Sequence, residues 1–311
     1  MKPRYASIDI GTNTVLLLIA ERREDGSFAP VLELAEITRL GRGVDRSGVL
    51  SAQGMEDTLR VLTRFAGQAR QQGASEIAVS ATSAARDAMN GAVFLEAARR
   101  QAGVEPEVIS GDREAQLTFR AVYDDFGRDD PHRPLVMIDI GGGSTEIVFG
   151  SQDGGSGIAF RRSFDVGAVR LTERYFHADP VAQSEWDALL GYLRSALDLP
   201  PVAPGFRFVG VAGTVTTLYT VQHRIEPYEA KRVHGGKLFR SELEELSDRL
   251  RRMPLAERLS VPGLDPKRAD VICAGAAILQ TAMELLKTEE CLVSDRGLRW
   301  GLLLDRFGVN P

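Results

Sequence analysis

Residues 136–150 read VMIDIGGGSTEIVFG. Strand-forming residues lead into Asp139 and Ile140. Three glycines follow, Gly141, Gly142 and Gly143, then Ser144, Thr145 and a second acid, Glu146. Residues 6–20, ASIDIGTNTVLLLIA, open the same way and place Gly11, Thr12, Asn13 and Thr14 after Asp9. Both stretches predict a buried strand, a tight turn and a second strand. A glycine-rich turn after a strand exposes backbone N–H groups, which form a concavity suited to anions. Ser144, Thr145, Thr12, Asn13 and Thr14 add short donors that match phosphate oxygens. An aspartate at the strand end repels phosphate unless a divalent cation lies between them, and Mg²⁺ is the usual choice. Each turn therefore reads as half of a phosphate–metal clamp.

The pattern around each turn repeats. YASIDI, TVLLLIAERRE and FAPVLELAEITRL read as three strands, with EDGS supplying hairpin chemistry. A helix comes next at about 51–72, where Met55, Leu59, Leu62, Phe65, Ala66 and Ala69 share one face. Then come strand EIAVSAT, helix AVFLEAARRQAG closed by Gly103, strand EPEVIS and helix DREAQLTFRAVYDDF. GRDDPHRP, residues 127–134, breaks both periods and reads as a linker. Strands at 135–140, 144–150 and 157–165 restart the plan, with SQDGGSG as a turn. Helices AVRLTERYF and AQSEWDALLGYLRSAL come after them, then strand FRFVGVAG, helix SELEELSDRLRRM, a long helix at about 267–287, strand ECLVSD and RGLRWGLLLDRFG.

The fold expected is α/β: two similar domains, each a mixed sheet opening with a three-strand meander and flanked by helices. Their expected extents are 1–127 with a C-terminal helix at about 297–311, and 128–296. Two like domains side by side would leave a cleft between them. A third element, VGVAGTVTTL, puts Gly213 and Thr214 between a strand and a helix and repeats the exposed-amide arrangement.

Composition narrows the function classes. The 311 residues suit two domains, and 43% hydrophobic with 26% charged residues is ordinary for a globular protein. A net charge of −5 supplies no global field for nucleic acid, so an anionic ligand needs a local site. Cys273 and Cys291, flanked by apolar residues, read as buried thiols rather than as a disulfide or zinc framework. The N-terminus MKPRYASID has no signal-peptide core, and no apolar run is long enough to span a bilayer, so a cytoplasmic location is expected.

Six motifs in order, ATSAARDAMNG, ISGDREAQL, DIGGGSTEIV, GVAGTVTTL, RVHGGKL and SDRGLRWGLL, resemble the exopolyphosphatase / guanosine pentaphosphate phosphohydrolase family. That family belongs to the actin-like ATPase superfamily with its ribonuclease H-like domains. The resemblance covers essentially the whole chain and is to the short two-domain members, which lack an additional C-terminal helical domain. It implies Mg²⁺- or Mn²⁺-dependent release of terminal orthophosphate from inorganic polyphosphate, or from guanosine pentaphosphate, a stringent-response nucleotide. It implies that Glu114 orients or activates water and that Arg86 grips the scissile phosphoryl group. Asp139 and Glu146 match acids near the metal, with Asp9 a third. Gly141 to Thr145 and Gly11 to Thr14 match the phosphate loops, joined by Gly213 and Thr214, and Arg268 matches a substrate-facing position. No nucleic acid or membrane partner is implied, and a homodimer is left open. Where many relatives carry a basic or His residue after the first loop, this chain has Leu16, which favours polyphosphate over the nucleotide. His234, in RVHGG, reads as a structural loop residue. An ATP-dependent kinase or ATPase of the same superfold, and a non-catalytic alarmone or polyphosphate sensor, are the rival readings.

Overall fold

The computed structural model describes residues 2–151 and 156–308. Most of the turn read as SQDGGSG, residues 152–155, lies outside the described residues. The chain forms two compact units, Met1–Ala121 with Leu298–Pro311, and Val122–Gly297. The division at residue 121 falls inside a helix, Gly111–Phe126, rather than at residue 127. The polar stretch 127–134 is where that helix has ended and the next strand has not begun, which accounts for its linker-like composition.

In the first unit, β1 (Arg4–Ile10), β2 (Thr14–Arg22) and β3 (Phe28–Ile37) form an antiparallel meander. β4 (Ala74–Ala81) and β5 (Pro106–Val108) add parallel strands on the other side of β1, giving the order β3-β2-β1-β4-β5. The apolar run of β2 is continuous because both faces are covered. Val15, Leu17 and Ile19 pack on one face with Leu62 and Phe65 of the Ala52–Gln71 helix. Leu18 and Ala20 pack on the other face with Trp300 and Leu303 of the Leu298–Phe307 helix. Ser51 caps the Ala52–Gln71 helix by accepting from the Gly54 N–H at 3.1 Å. Gly103, at φ 61°, closes the Gly91–Ala102 helix. Asp9 shares its sheet face with Ser7, whose hydroxyl donates to the Arg299 carbonyl at 2.6 Å.

In the second unit, β6 (Leu135–Ile140), β7 (Thr145–Gly150) and β8 (Ile158–Phe164) repeat the meander. β9 (Arg207–Val211) runs parallel beside β6. Beyond it lie β11 (Glu290–Val293), parallel to β9, and a short antiparallel edge strand, β10 (Lys237–Phe239). Read from β8, the order is β8-β7-β6-β9-β11-β10. The first five strands match β3-β2-β1-β4-β5 in order and in parallel or antiparallel sense, so the repeat read from the two turns extends through the sheets. β10 has no counterpart, and its three residues are too few to show a period.

The helix expected over 267–287 is shorter. Pro266–Arg268 is a separate 3-10 turn, and the α-helix runs Ile272–Leu286. The Asp265 carboxylate accepts from the Lys267 N–H at 2.9 Å and starts the small turn. Cys273 and Cys291 are free and buried, and burial pushes both thiols up. Among the described residues no helix is long and apolar enough to cross a membrane.

Candidate functional site

The two glycine turns share one geometry. The Gly11 N–H donates to the Thr14 carbonyl at 3.0 Å, and the Gly141 N–H donates to the Ser144 carbonyl at 3.0 Å. Ile10 pairs with Val15 and Asp9 with Leu16; Ile140 pairs with Thr145 and Asp139 with Glu146. At both leading glycines a Cβ would stand 3.0 Å from the carbonyl that closes the turn. This close approach disfavours a side chain at the two leading positions, because the turn would have to open by a few tenths of an ångström.

The triple-glycine loop is oriented by the segment after β8. The Ala168 N–H donates to the Gly141 carbonyl at 2.9 Å. The Val169 and Arg170 N–H groups donate to the Gly142 carbonyl at 2.9 and 3.1 Å. Arg170 Nε donates to the Gly143 carbonyl at 2.8 Å. The Ala168–Tyr175 helix has no side-chain cap at Gly167, so the loop carbonyls satisfy its first N–H groups. In a trans peptide, a carbonyl and the N–H of the next residue point in opposite directions. Three consecutive N–H groups, those of Gly142, Gly143 and Ser144, are therefore turned away from that helix. A Cβ on Gly167 would overlap the Gly142 carbonyl, so a glycine is required there as well.

The first loop is held in the same way by the segment after β3. The Gly41 N–H donates to the Thr12 carbonyl at 2.8 Å. The Thr38 and Arg39 N–H groups both donate to the Asn13 carbonyl at 3.0 Å. The amides of Asn13 and Thr14 then turn away from that segment. Arg39 reaches this position in the left-handed region, at φ 56°. Thr12 and Asn13 are buried, and Thr14 begins β2.

The acids are unequally shared between the units. Asp139, Glu146 and Ser163 stand opposite one another on β6, β7 and β8, so their side chains share one sheet face. The Ser163 hydroxyl donates to Glu146 Oε1 at 2.6 Å. Asp139 and Glu146 are both buried. Two like charges directly opposite are unfavourable alone. Paired hard oxygens of this kind suit a divalent cation, so the residues fit the expected metal. In the first unit the matching row is Asp9, Leu16 and Ala35. Among the described residues no three His, Cys, Asp or Glu side chains are grouped as a metal-binding set. Thr145 is fully buried and its hydroxyl donates to the Val166 carbonyl at 2.6 Å. Its proton serves the strand exit, and the loop amides are the better phosphate donors.

The ends of β4 and β5 bring Arg86 and Glu114 together. Arg86 lies in a short helix, Ser83–Asp87, within ATSAARDA. Its Nη1 donates to the Ile109 carbonyl at 3.1 Å and lies 3.8 Å from Glu114 Oε2, while its Nε lies 3.3 Å from Asp87 Oδ1. These contacts are made through Nε and Nη1. Glu114 is in the first turn of the Gly111–Phe126 helix, where a carboxylate is favoured, and its side chain is 12% exposed. Gly11, Arg86 and Glu114 all lie just past strand ends, Arg86 and Glu114 at the C-terminal ends of parallel strands, the usual ligand edge of an open α/β sheet.

Gly213 and Thr214 open the Ala212–His223 helix directly after β9, beside the Asp139 end of β6. Ala212 takes φ 67°, a costly conformation for a residue with a Cβ. The Arg268 guanidinium occupies the space a Cβ on Gly213 would need. Burial lowers the Arg268 pKa, opposed by Asp265 and Tyr228. Thr214 is buried against Gly275.

His234 is engaged structurally. Its Nδ1 accepts from the Asp295 N–H at 3.3 Å, and its Nε2 lies 3.8 Å from Asp125 Oδ2. Arg296 Nη1 donates to Asp125 Oδ1 at 2.5 Å. Burial raises the Asp125 pKa, opposed by Arg296 and His234.

Sequence reasoning missed the segments that hold the loops, Thr38 to Gly41 and Gly167 to Arg170. The one available signal was a glycine just past the third strand in each half.

Comparison with known proteins agrees with the geometry. The Ppx/GppA phosphatase family matches residues 18–308. A relative named exopolyphosphatase 2, from Mycobacterium tuberculosis, is 33% identical over 98% of this chain and 99% of its own length. The crystal structure of the Aquifex aeolicus member of the Ppx/GppA family superposes with a TM-score of 0.81 at 33% identity, covering 98% of this chain and 97% of that one. An exopolyphosphatase structure from Cytophaga hutchinsonii gives a TM-score of 0.86 at 26% identity, over 98% and 97% of the two chains. Two mixed sheets of matching order, with glycine turns and acids at their strand ends, thus accompany full-length similarity, and the chain belongs to the Ppx/GppA phosphatase family.

Proposed function

We propose that this chain is a cytoplasmic, divalent-metal-dependent exopolyphosphatase that releases terminal orthophosphate from inorganic polyphosphate. The observation that carries the reading is the Arg86–Glu114 pair, in which a guanidinium stands beside a largely buried carboxylate. Such a pair supplies both things phosphoryl transfer needs from side chains, a positioned water and neutralisation of the moving charge.

In this reading Glu114 accepts a proton from water as the water oxygen bonds to the terminal phosphorus. The bridging P–O bond breaks, and the shortened chain leaves with the electron pair. In the first unit Arg86 and the Asn13 and Thr14 amides are the donors offered to phosphate oxygens; in the second unit the donors are the amides of Gly142, Gly143 and Ser144 and the start of the Gly213–Thr214 helix. Arg268 faces the substrate. Asp139 and Glu146 would hold Mg²⁺ or Mn²⁺, which when bound neutralises phosphate charge, and Asp9 is the corresponding strand-end acid of the first unit. Leu16, half-buried opposite Asp9, offers no cation at the position where the family resemblance would lead one to expect it, which supports polyphosphate over guanosine pentaphosphate.

The test is phosphate release with Mg²⁺ from short polyphosphate, long polyphosphate, guanosine pentaphosphate and ATP in parallel. Release from polyphosphate well above the other two is expected. Release from the guanosine nucleotide alone would move the assignment to alarmone hydrolysis. Turnover of ATP alone would favour a kinase or ATPase, and silence on all four would favour a sensor.

A further inference from the structure

The geometry points to Arg170 as a positioning residue for the triple-glycine loop, one that sets the direction of the Ser144 N–H without touching substrate. This inference rests on reading that loop as a phosphate site. The carbonyls of Gly141 and Gly142 are held by backbone N–H groups, which any sequence at 168–170 would supply. The Gly143 carbonyl is held instead by a side chain, Arg170 Nε, at 2.8 Å. Glycine has the widest choice of backbone conformations, so a glycine peptide that is not held samples orientations that aim its N–H elsewhere. The Gly143–Ser144 peptide is the last of the three, and the peptide after it closes the turn through the Ser144 carbonyl, which accepts from the Gly141 N–H. Arg170 also donates its own N–H to the Gly142 carbonyl, so its backbone and side chain grip two successive peptides. A guanidinium suits this task because Nε–H is held rigidly in a plane and the group stays charged at every working pH. The charge adds a second effect, since a cation behind the carbonyls deepens the positive potential on the amide side of the same peptides.

The experiment compares wild type, Arg170→Ala and Arg170→Lys. It uses ¹⁵N-glycine and ¹⁵N-serine labelling, titration with inorganic phosphate, steady-state kinetics on polyphosphate, and thermal melts. In wild type, phosphate is expected to shift the amide resonances of Gly142, Gly143 and Ser144. In Arg170→Ala the same shifts should need about tenfold more phosphate, and kcat should fall on the order of 10²-fold, as expected for a misplaced donor. Ethylguanidinium should restore part of that loss. Arg170→Lys keeps the charge and the stem but not the Nε–H, and should resemble the alanine variant in phosphate affinity. An unshifted wild-type loop would overturn the phosphate-site reading itself. A wild-type loop that shifts, with unchanged affinity and kcat in both folded variants, would overturn the role of Arg170 and leave the loop reading standing. A lowered Tm with unaltered phosphate affinity would likewise reduce Arg170 to a structural residue.

Discussion

Arg86 Nη1 lies 3.8 Å from Glu114 Oε2 while donating at 3.1 Å to the Ile109 carbonyl, five residues before that glutamate. The arginine is thus tied to the chain that delivers the acid. Arg86 reaches Asp87 through Nε and Ile109 through Nη1. Glu114→Gln preserves shape and should lower kcat by about 10²-fold or more, as for a lost general base, with KM nearly unchanged. Arg86→Lys should raise KM and lower kcat together, because an ammonium cannot hold Ile109 and phosphate in one plane. Steady-state kinetics on polyphosphate decide both. A near-wild-type Glu114→Gln would remove Glu114 from the chemistry.

Gly167 tests whether the loop depends on the chain behind it. Its missing Cβ leaves room for the Gly142 carbonyl. Gly167→Ala should cost about 1–3 kcal/mol of stability, the usual effect of overpacking. It should also lower activity beyond what the loss of folded protein explains. Urea melts and kcat corrected for folded fraction separate the two effects.

Asp139 and Glu146 face each other across β6 and β7. Removing one charge should relieve the repulsion in metal-free protein and stabilise it by about 0.2–1 kcal/mol. The same change should weaken the metal site. Asp139→Asn is therefore expected to raise the Tm in EDTA, to gain less from added Mg²⁺, and to need more Mg²⁺ for half-maximal activity. An unchanged Mg²⁺ requirement would remove Asp139 from the metal site.

Asp125 makes stability depend on pH. Burial raises its pKa in the folded protein above the ordinary 3.8. Between those two values the unfolded chain has released the proton and the folded chain still holds it. Stability therefore falls as pH rises through that window and levels off above the folded pKa. Asp125→Asn removes this contribution. The stability difference, wild type minus variant, should decline from about pH 4 upward and then become constant. Urea unfolding at successive pH values measures it, and a difference that rises with pH would contradict the assignment.

The legible part of the fold was the part written in short periods. The Ile-Asp-Ile-Gly openings, the hairpin chemistry of EDGS between the second and third strands and the glycine at the end of the Gly91–Ala102 helix are local signals, and each matches an element. The Arg86–Glu114 meeting was not legible from local pattern, since 28 residues separate them and only the parallel pairing of β4 with β5 brings their helices to one edge. Family resemblance supplied that pair. The hydrogen bonds that orient the two loops come from about 25 residues downstream in each half, beyond any turn rule. The break before Ile272 was written in Asp265-Pro266, a cap followed by proline, but the apolar period after it was stronger and ran over it.

The matching strand order of the two sheets carries a consequence for how such a protein can change. Two copies of one architecture no longer bear the same duties: one keeps a glutamate and serine beside its strand-end aspartate, while the other has leucine and alanine there. The copy with the apolar row carries Arg86 and Glu114. Once two halves have diverged in this way, exchange of the corresponding segment between them is no longer silent. A gene-conversion event writing the second turn over the first would keep the hairpin and introduce a half-buried acid at residue 16, opposite Asp9. The backbone plan is thus common to both halves, and the side chains along one sheet face make the two halves irreplaceable by each other.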